Sequence, residues 1–109
     1  MINWADFEKI DIRVGTILEA EDFPEARNPS YKLTIDFGEL GVKRSSAQIT
    51  RLYTREMLKG MQITAVVNFP PKRIAGFSSE CLVLGAIGEH GEVTLLTPSL
   101  PAVNGLRIG

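Results

Sequence analysis

Apolar and polar residues alternate through Ile10-Asp11-Ile12-Arg13-Val14-Gly15-Thr16-Ile17, the period of a strand with one face in a core. Gly15 inside this run predicts a bulge or a sharp coil, the kind of bend a small barrel needs to close. Asn3, ahead of it, is placed to cap a single helical turn that carries Trp4 and Phe7 on one side. Phe23 to Ser30, with prolines at 24 and 29, reads as a loop. Tyr31-Lys32-Leu33-Thr34-Ile35-Asp36-Phe37 alternates again and sends Leu33, Ile35 and Phe37 to one face. A turn from Gly38 to Gly41 leads into a third, unusually polar strand from Val42 to Ile49.

A short helix follows, with Thr54 as N-cap, Arg55 to Lys59 as the turn and Gly60 as the stop. Met61 to Phe69 reads as a fourth strand, and Pro70 to Phe77 as a long loop, stiff at its prolines and freer at Gly76. Cys81-Leu82-Val83-Leu84 is an apolar strand core, and Val93 to Thr97 follows the Gly88–Gly91 turn. Pro98 to Gly109, punctuated by proline and glycine, is expected to wrap the surface. Short strands with one helix between the third and fourth give the chain order of an all-β OB-fold: a five-stranded Greek-key barrel with small terminal extensions. Residues 1–109 are too few for a second core, so a single domain is expected.

Charge changes this picture more than composition does. Hydrophobic residues at 44% and charged residues at 23% describe an ordinary globular chain. The net charge of −1 conceals a segregation along the sequence. Residues 1–40 hold four basic and nine acidic side chains, whereas residues 41–80 hold seven basic and two acidic. If the fold keeps those regions apart, the basic one attracts phosphate; if it interleaves them, the field cancels. The N-terminus lacks the basic and apolar regions of a signal peptide, and no apolar run suits a membrane span. The only cysteine, Cys81, excludes an internal disulfide and fits a reducing, cytoplasmic setting.

The search for reaction chemistry returns little. His90 is the sole histidine and sits in an acidic glycine turn with no nucleophile beside it. Cys81 lies in an apolar strand, where an inert buried thiol is expected. No metal-ligand cluster and no glycine-rich phosphate loop is present, so no catalytic residue, cofactor or metal is assigned. Glu19, Glu21, Asp22 and Glu25 read as a solvated strand end.

Two segments stand out instead. Lys43-Arg44-Ser45-Ser46-Ala47-Gln48-Ile49-Thr50-Arg51 is a strand dense in donors that suit phosphate or sugar oxygens, or else a plain solvated sheet face. Asn68-Phe69-Pro70-Pro71-Lys72-Arg73-Ile74-Ala75-Gly76-Phe77-Ser78-Ser79-Glu80 presents paired cations from a stiffened loop.

With Asp11-Ile12-Arg13-Val14-Gly15-Thr16-Ile17, these segments resemble the tRNA-binding domain superfamily of OB-folds, found appended to some methionyl- and phenylalanyl-tRNA synthetases. Within it the chain is most similar to the CsaA family of small export-related chaperones. That likeness rests on Phe23-Pro24-Glu25-Ala26-Arg27, on Lys43 to Thr50, on Asn68 to Phe77, on Ser79-Glu80, on Leu82 to Gly85, and on Asn104-Gly105 and Ile108-Gly109. The resemblance implies a homodimer, a tRNA-binding-type surface, a role in holding unfolded or precursor proteins, and contact with the secretion motor protein. Stand-alone tRNA binders of the superfamily carry Gly-Met after Ser-Glu; Cys81-Leu82 stands there instead, which favours the chaperone branch.

Two readings follow. A chaperone would take apolar client segments on Phe69, Ile74 and Phe77. A tRNA binder would neutralise phosphates with Lys43, Arg44, Lys72 and Arg73 and orient the backbone with Ser45, Ser46, Gln48 and Asn68, with Ser79 and Glu80 completing the site. Both readings expect the two pairs of cations to converge on one side of the barrel.

Overall fold

A computed structural model describes Met1–Gly109. Five strands form one sheet: β1 (Ile12–Asp22), β2 (Tyr31–Asp36), β3 (Val42–Ala47), β4 (Gln62–Val66) and β7 (Leu82–Val83), in the order β3-β2-β1-β4-β7. Every pairing in it is antiparallel, so β3 and β7 run parallel where the sheet curls round on itself. The result is a nearly closed barrel of the OB type. Two hairpins stand outside the sheet: β5 (Lys72–Ile74) with β6 (Phe77–Ser79), and β8 (Gly85–Ile87) with β9 (Val93–Leu95).

The alternation in β2 performs as its pattern requires: Leu33, Ile35 and the following Phe37 are all fully buried. Ile17 and Ile63 join them from β1 and β4, and Leu58 enters from α2 (Arg55–Leu58) to seal one end of the barrel. Each such burial contributes about 1.5–3 kcal/mol. The Thr54 hydroxyl accepts from the Met57 amide, and Gly60 leaves the helix at φ +88°, a conformation that favours glycine. Asn3 likewise caps α1 (Trp4–Glu8), exchanging hydrogen bonds with Asp6.

Three expectations change. The β1 bulge falls between Ile17 and Glu19, not at Gly15. Gly15 is instead a site of close packing, since a Cβ there would lie 2.7 Å from the Phe37 ring and from Ile35. The presumed long loop after Pro71 is the β5–β6 hairpin, which turns through Ala75 and Gly76, both at positive φ. The C-terminal segment does more than wrap the surface. Gly105 and Ile108 donate to the Val14 and Ile12 carbonyls, and the Leu106 carbonyl accepts from Val14, along the part of β1 that β2 does not reach. No helix is long and apolar enough to cross a membrane.

Candidate ligand-binding groove

The barrel closes through a short run of hydrogen bonds between Arg44–Ser46 on β3 and Ser79–Cys81. Arg44 on β3 and Glu80, just before β7, exchange backbone and carboxylate hydrogen bonds, and beyond them the seam opens. The opening is a groove of about 650 Å³ between the β5–β6 and β8–β9 hairpins. Its floor and walls include Ala47, Ile49, Cys81, Val83, Ile87 and Val93, with Phe69 and Pro70 at one lip. Lys72 and Glu80 are the only charged residues among those lining it. Of the residues expected at the site, Ser46, Gln48, Phe69, Lys72, Ile74, Ser79 and Glu80 all reach this groove.

The others lie elsewhere, and strand geometry says why. Successive side chains on a strand take opposite faces. Lys43 pairs with buried Ile35 and so takes the core-side face at the end of β3, while Arg44 pairs with Thr34 on the outer face. Lys72 and Arg73 are divided in the same way along β5, so Lys72 alone of the four cations lines the groove. Ser45 is fully buried, and its hydroxyl donates to the Cys81 carbonyl at 2.8 Å. Asn68 ties two elements together: its carboxamide oxygen accepts from the Asp11 amide and its nitrogen donates to the Lys9 carbonyl.

Phe77 is also accounted for within the fold. Its buried ring meets Phe23 edge to face at 5.4 Å, with the Arg44 guanidinium 4.8 Å and the Lys32 ammonium 5.5 Å from its centroid. Arg44 is further tied to Glu21 at 2.6 Å. Lys59 reaches Glu19 at 3.3 Å and Arg55 reaches Asp22 at 3.6 Å. The acidic end of β1 is therefore not simply solvated, because it pairs with three of the seven cations in the basic middle of the chain. Such surface pairs add only about 0–1 kcal/mol each. Their larger effect is to interleave charges that the sequence keeps apart.

Burial pushes the Cys81 thiol up to about 11, against a hydrogen bond with Ser45 that pulls the other way. A thiol held protonated is a poor nucleophile. No group of three or more His, Cys, Asp or Glu side chains is placed to hold a metal ion. Sequence reasoning missed the groove walls Val83 and Val93, which read as ordinary strand positions, and Ile87, which it did not single out. It also missed Glu21 and Lys32, whose partners lie far along the chain.

A second exposed feature joins the two ends. Arg107 donates to the Glu8 carbonyl at 2.8 Å and so brings the C-terminal segment against α1. Ile2 and Trp4, 71% and 82% exposed, share a shallow pocket with Phe7 and Gly109. Leu100, Val103 and Leu106 are exposed on the same C-terminal segment.

Known proteins agree with this architecture. Residues 12–107 match the tRNA-binding domain family. The chain superimposes on the crystal structure of chaperone CsaA from Bacillus anthracis strain Ames with a TM-score of 0.96 and 58% identity, over 100% of this chain and 99% of that one. The CsaA chaperone protein from Picrophilus torridus gives 0.93 and 56%, with all of both chains covered. A methionine–tRNA ligase from Porphyromonas gingivalis is 35% identical over 98% of this chain, which spans only 15% of the ligase. The chain belongs to the tRNA-binding domain family, and it is similar over its full length to the two CsaA chaperones.

Proposed function

We propose that this protein is a chaperone that holds unfolded or precursor polypeptides, with an apolar client segment seated in the groove between the two hairpins. The observation that carries this reading is the groove's lining, mostly apolar and carrying one cation and one carboxylate. A phosphate backbone would gain little from a site that offers a single cation. An apolar segment would lose contact with water on Ile49, Ile74, Val83 and half-exposed Phe69. The likeness to the two CsaA chaperones supports the same reading. Broad client range follows from a shallow groove, where contacts are apolar and adaptable.

The protein works as a homodimer in this account. Ile2, Trp4, Leu100, Val103 and Leu106 are large apolar side chains exposed on adjoining terminal segments, a patch that suits burial against a second copy. Delivery of clients to the secretion motor, in the cytoplasm, is the final part of the proposal. The test is aggregation of a denatured substrate, which the dimer should suppress at near-stoichiometric ratio. No suppression at large excess would overturn the reading.

A tRNA-binding role is the second reading, favoured by family membership and by cations with no carboxylate within ion-pair distance, among them Lys32, Lys43, Lys72 and Arg73. Contacts of this kind would fix tRNA by shape and phosphate rather than by base identity. Filter binding of labelled tRNA at rising salt measures it: a steep fall in affinity supports phosphate contacts, and no binding at low salt removes the reading.

A further inference from the structure

The hydrogen-bond phase of β3 leaves part of its backbone facing the groove. The Phe37 amide donates to the Gly41 carbonyl, which makes that pair hydrogen-bonded. Counting by twos along the antiparallel ladder, Ile35–Lys43, Leu33–Ser45 and Tyr31–Ala47 are hydrogen-bonded as well. Val42, Arg44 and Ser46 therefore turn their amides and carbonyls away from β2. Arg44 spends both groups on Glu80. The Ser46 amide donates to the Ser79 hydroxyl at 3.0 Å, but the Ser46 carbonyl receives only a 3.4 Å contact from the Ser45 hydroxyl. Gln48, next in phase, makes no hydrogen bond through either its amide or its carbonyl. Ser46 and Gln48 both line the groove.

We infer that the groove takes its occupant by strand addition: an extended segment of a client polypeptide pairs its backbone with the β3 edge at Ser46 and with Gln48 just beyond the strand's end. The inference rests on the proposed chaperone reading and specifies how the client is recognised. β3 and β7 are the two edges of the sheet and do not pair with each other, so the open seam between them leaves room for a strand from outside. Main-chain hydrogen bonds carry no sequence information, which suits a protein that must accept many clients. Alternate side chains of the added strand would face Ile49, Val83 and Val93. Lys72, which no carboxylate neutralises, favours a segment with an acidic residue beside its apolar ones. The mostly apolar lining sets polypeptide apart from nucleic acid as the occupant, since a single cation gives a phosphate backbone little to neutralise.

The test uses the whole protein and a ten-residue peptide of alternating Val and Thr with one central Glu. Two twins of this peptide carry backbone N-methyl groups on alternate residues, one in each phase. Strand addition predicts that one phase weakens binding about tenfold while the other binds like the parent, because only one edge of the peptide donates to β3. Gln48 amide exchange should slow in the presence of the parent peptide. If the parent fails to bind, or if the twins bind alike, strand addition is wrong. Aggregation suppression measured on the same preparation separates the two levels. Suppression intact with indifferent twins leaves the chaperone reading standing and removes this one, whereas loss of suppression removes both.

Discussion

The Glu80 amide donates to the Arg44 carbonyl at 2.7 Å, while the Glu80 carboxylate accepts from the Arg44 amide at 2.8 Å. This reciprocal pair fastens the end of the β6 segment to the edge of β3. It closes the barrel on one side of the groove and leaves it open on the other. Glu80→Ala should cost about 1.5–3 kcal/mol in chemical denaturation, the range for hydrogen bonds to a charged group. Glu80→Gln keeps an acceptor in place and should cost less. Equal losses in the two variants would show that the carboxylate's charge, and not its geometry, is what matters.

Gly15→Ala should destabilise the protein by about 1–3 kcal/mol, because the added methyl must displace the Phe37 ring and Ile35 from a filled core. Thermal or urea unfolding measures it. A neutral outcome would mean that the core yields there.

Cys81 should resist thiol reagents at neutral pH in the native protein and react fully in denaturant. Its raised value sets the sign of a pH effect. The folded state holds the thiol's proton beyond the unfolded value of 9.0, so this group's contribution to stability is complete below pH 9.0 and is lost as pH rises towards about 11. Cys81→Ser should flatten that part of the stability profile.

Trp4→Asp combined with Val103→Asp should convert a dimer into a monomer in light scattering at micromolar concentration, since both side chains are largely exposed on the adjoining terminal segments. An unchanged mass would place the interface elsewhere.

The fold was legible wherever neighbours in sequence decide the outcome. Leu33, Ile35 and Phe37 share a face because strand geometry permits nothing else, and Thr54 and Gly60 bound their helix through local capping. The β5–β6 hairpin was not legible, because two prolines obscure the short strand that follows them and Ala75 is an unusual residue for a left-handed turn. The bulge escaped because Gly15 draws attention to itself while Leu18 does not. The charge field escaped for a different reason: Glu21 meets Arg44 only after two strands have folded side by side. Half of the site was visible as residue types, yet the groove itself exists only once two hairpins stand over the open seam.

The central claim is that the groove holds polypeptide. Calorimetric titration of a reduced, permanently unfolded polypeptide into the parent and into Phe69→Asp/Ile74→Asp tests it most directly, with circular dichroism to establish that the variant is folded. The account predicts at least about tenfold weaker polypeptide binding in the variant, from placing two charges where apolar contacts form. A folded variant that binds the unfolded polypeptide as tightly as the parent would contradict it.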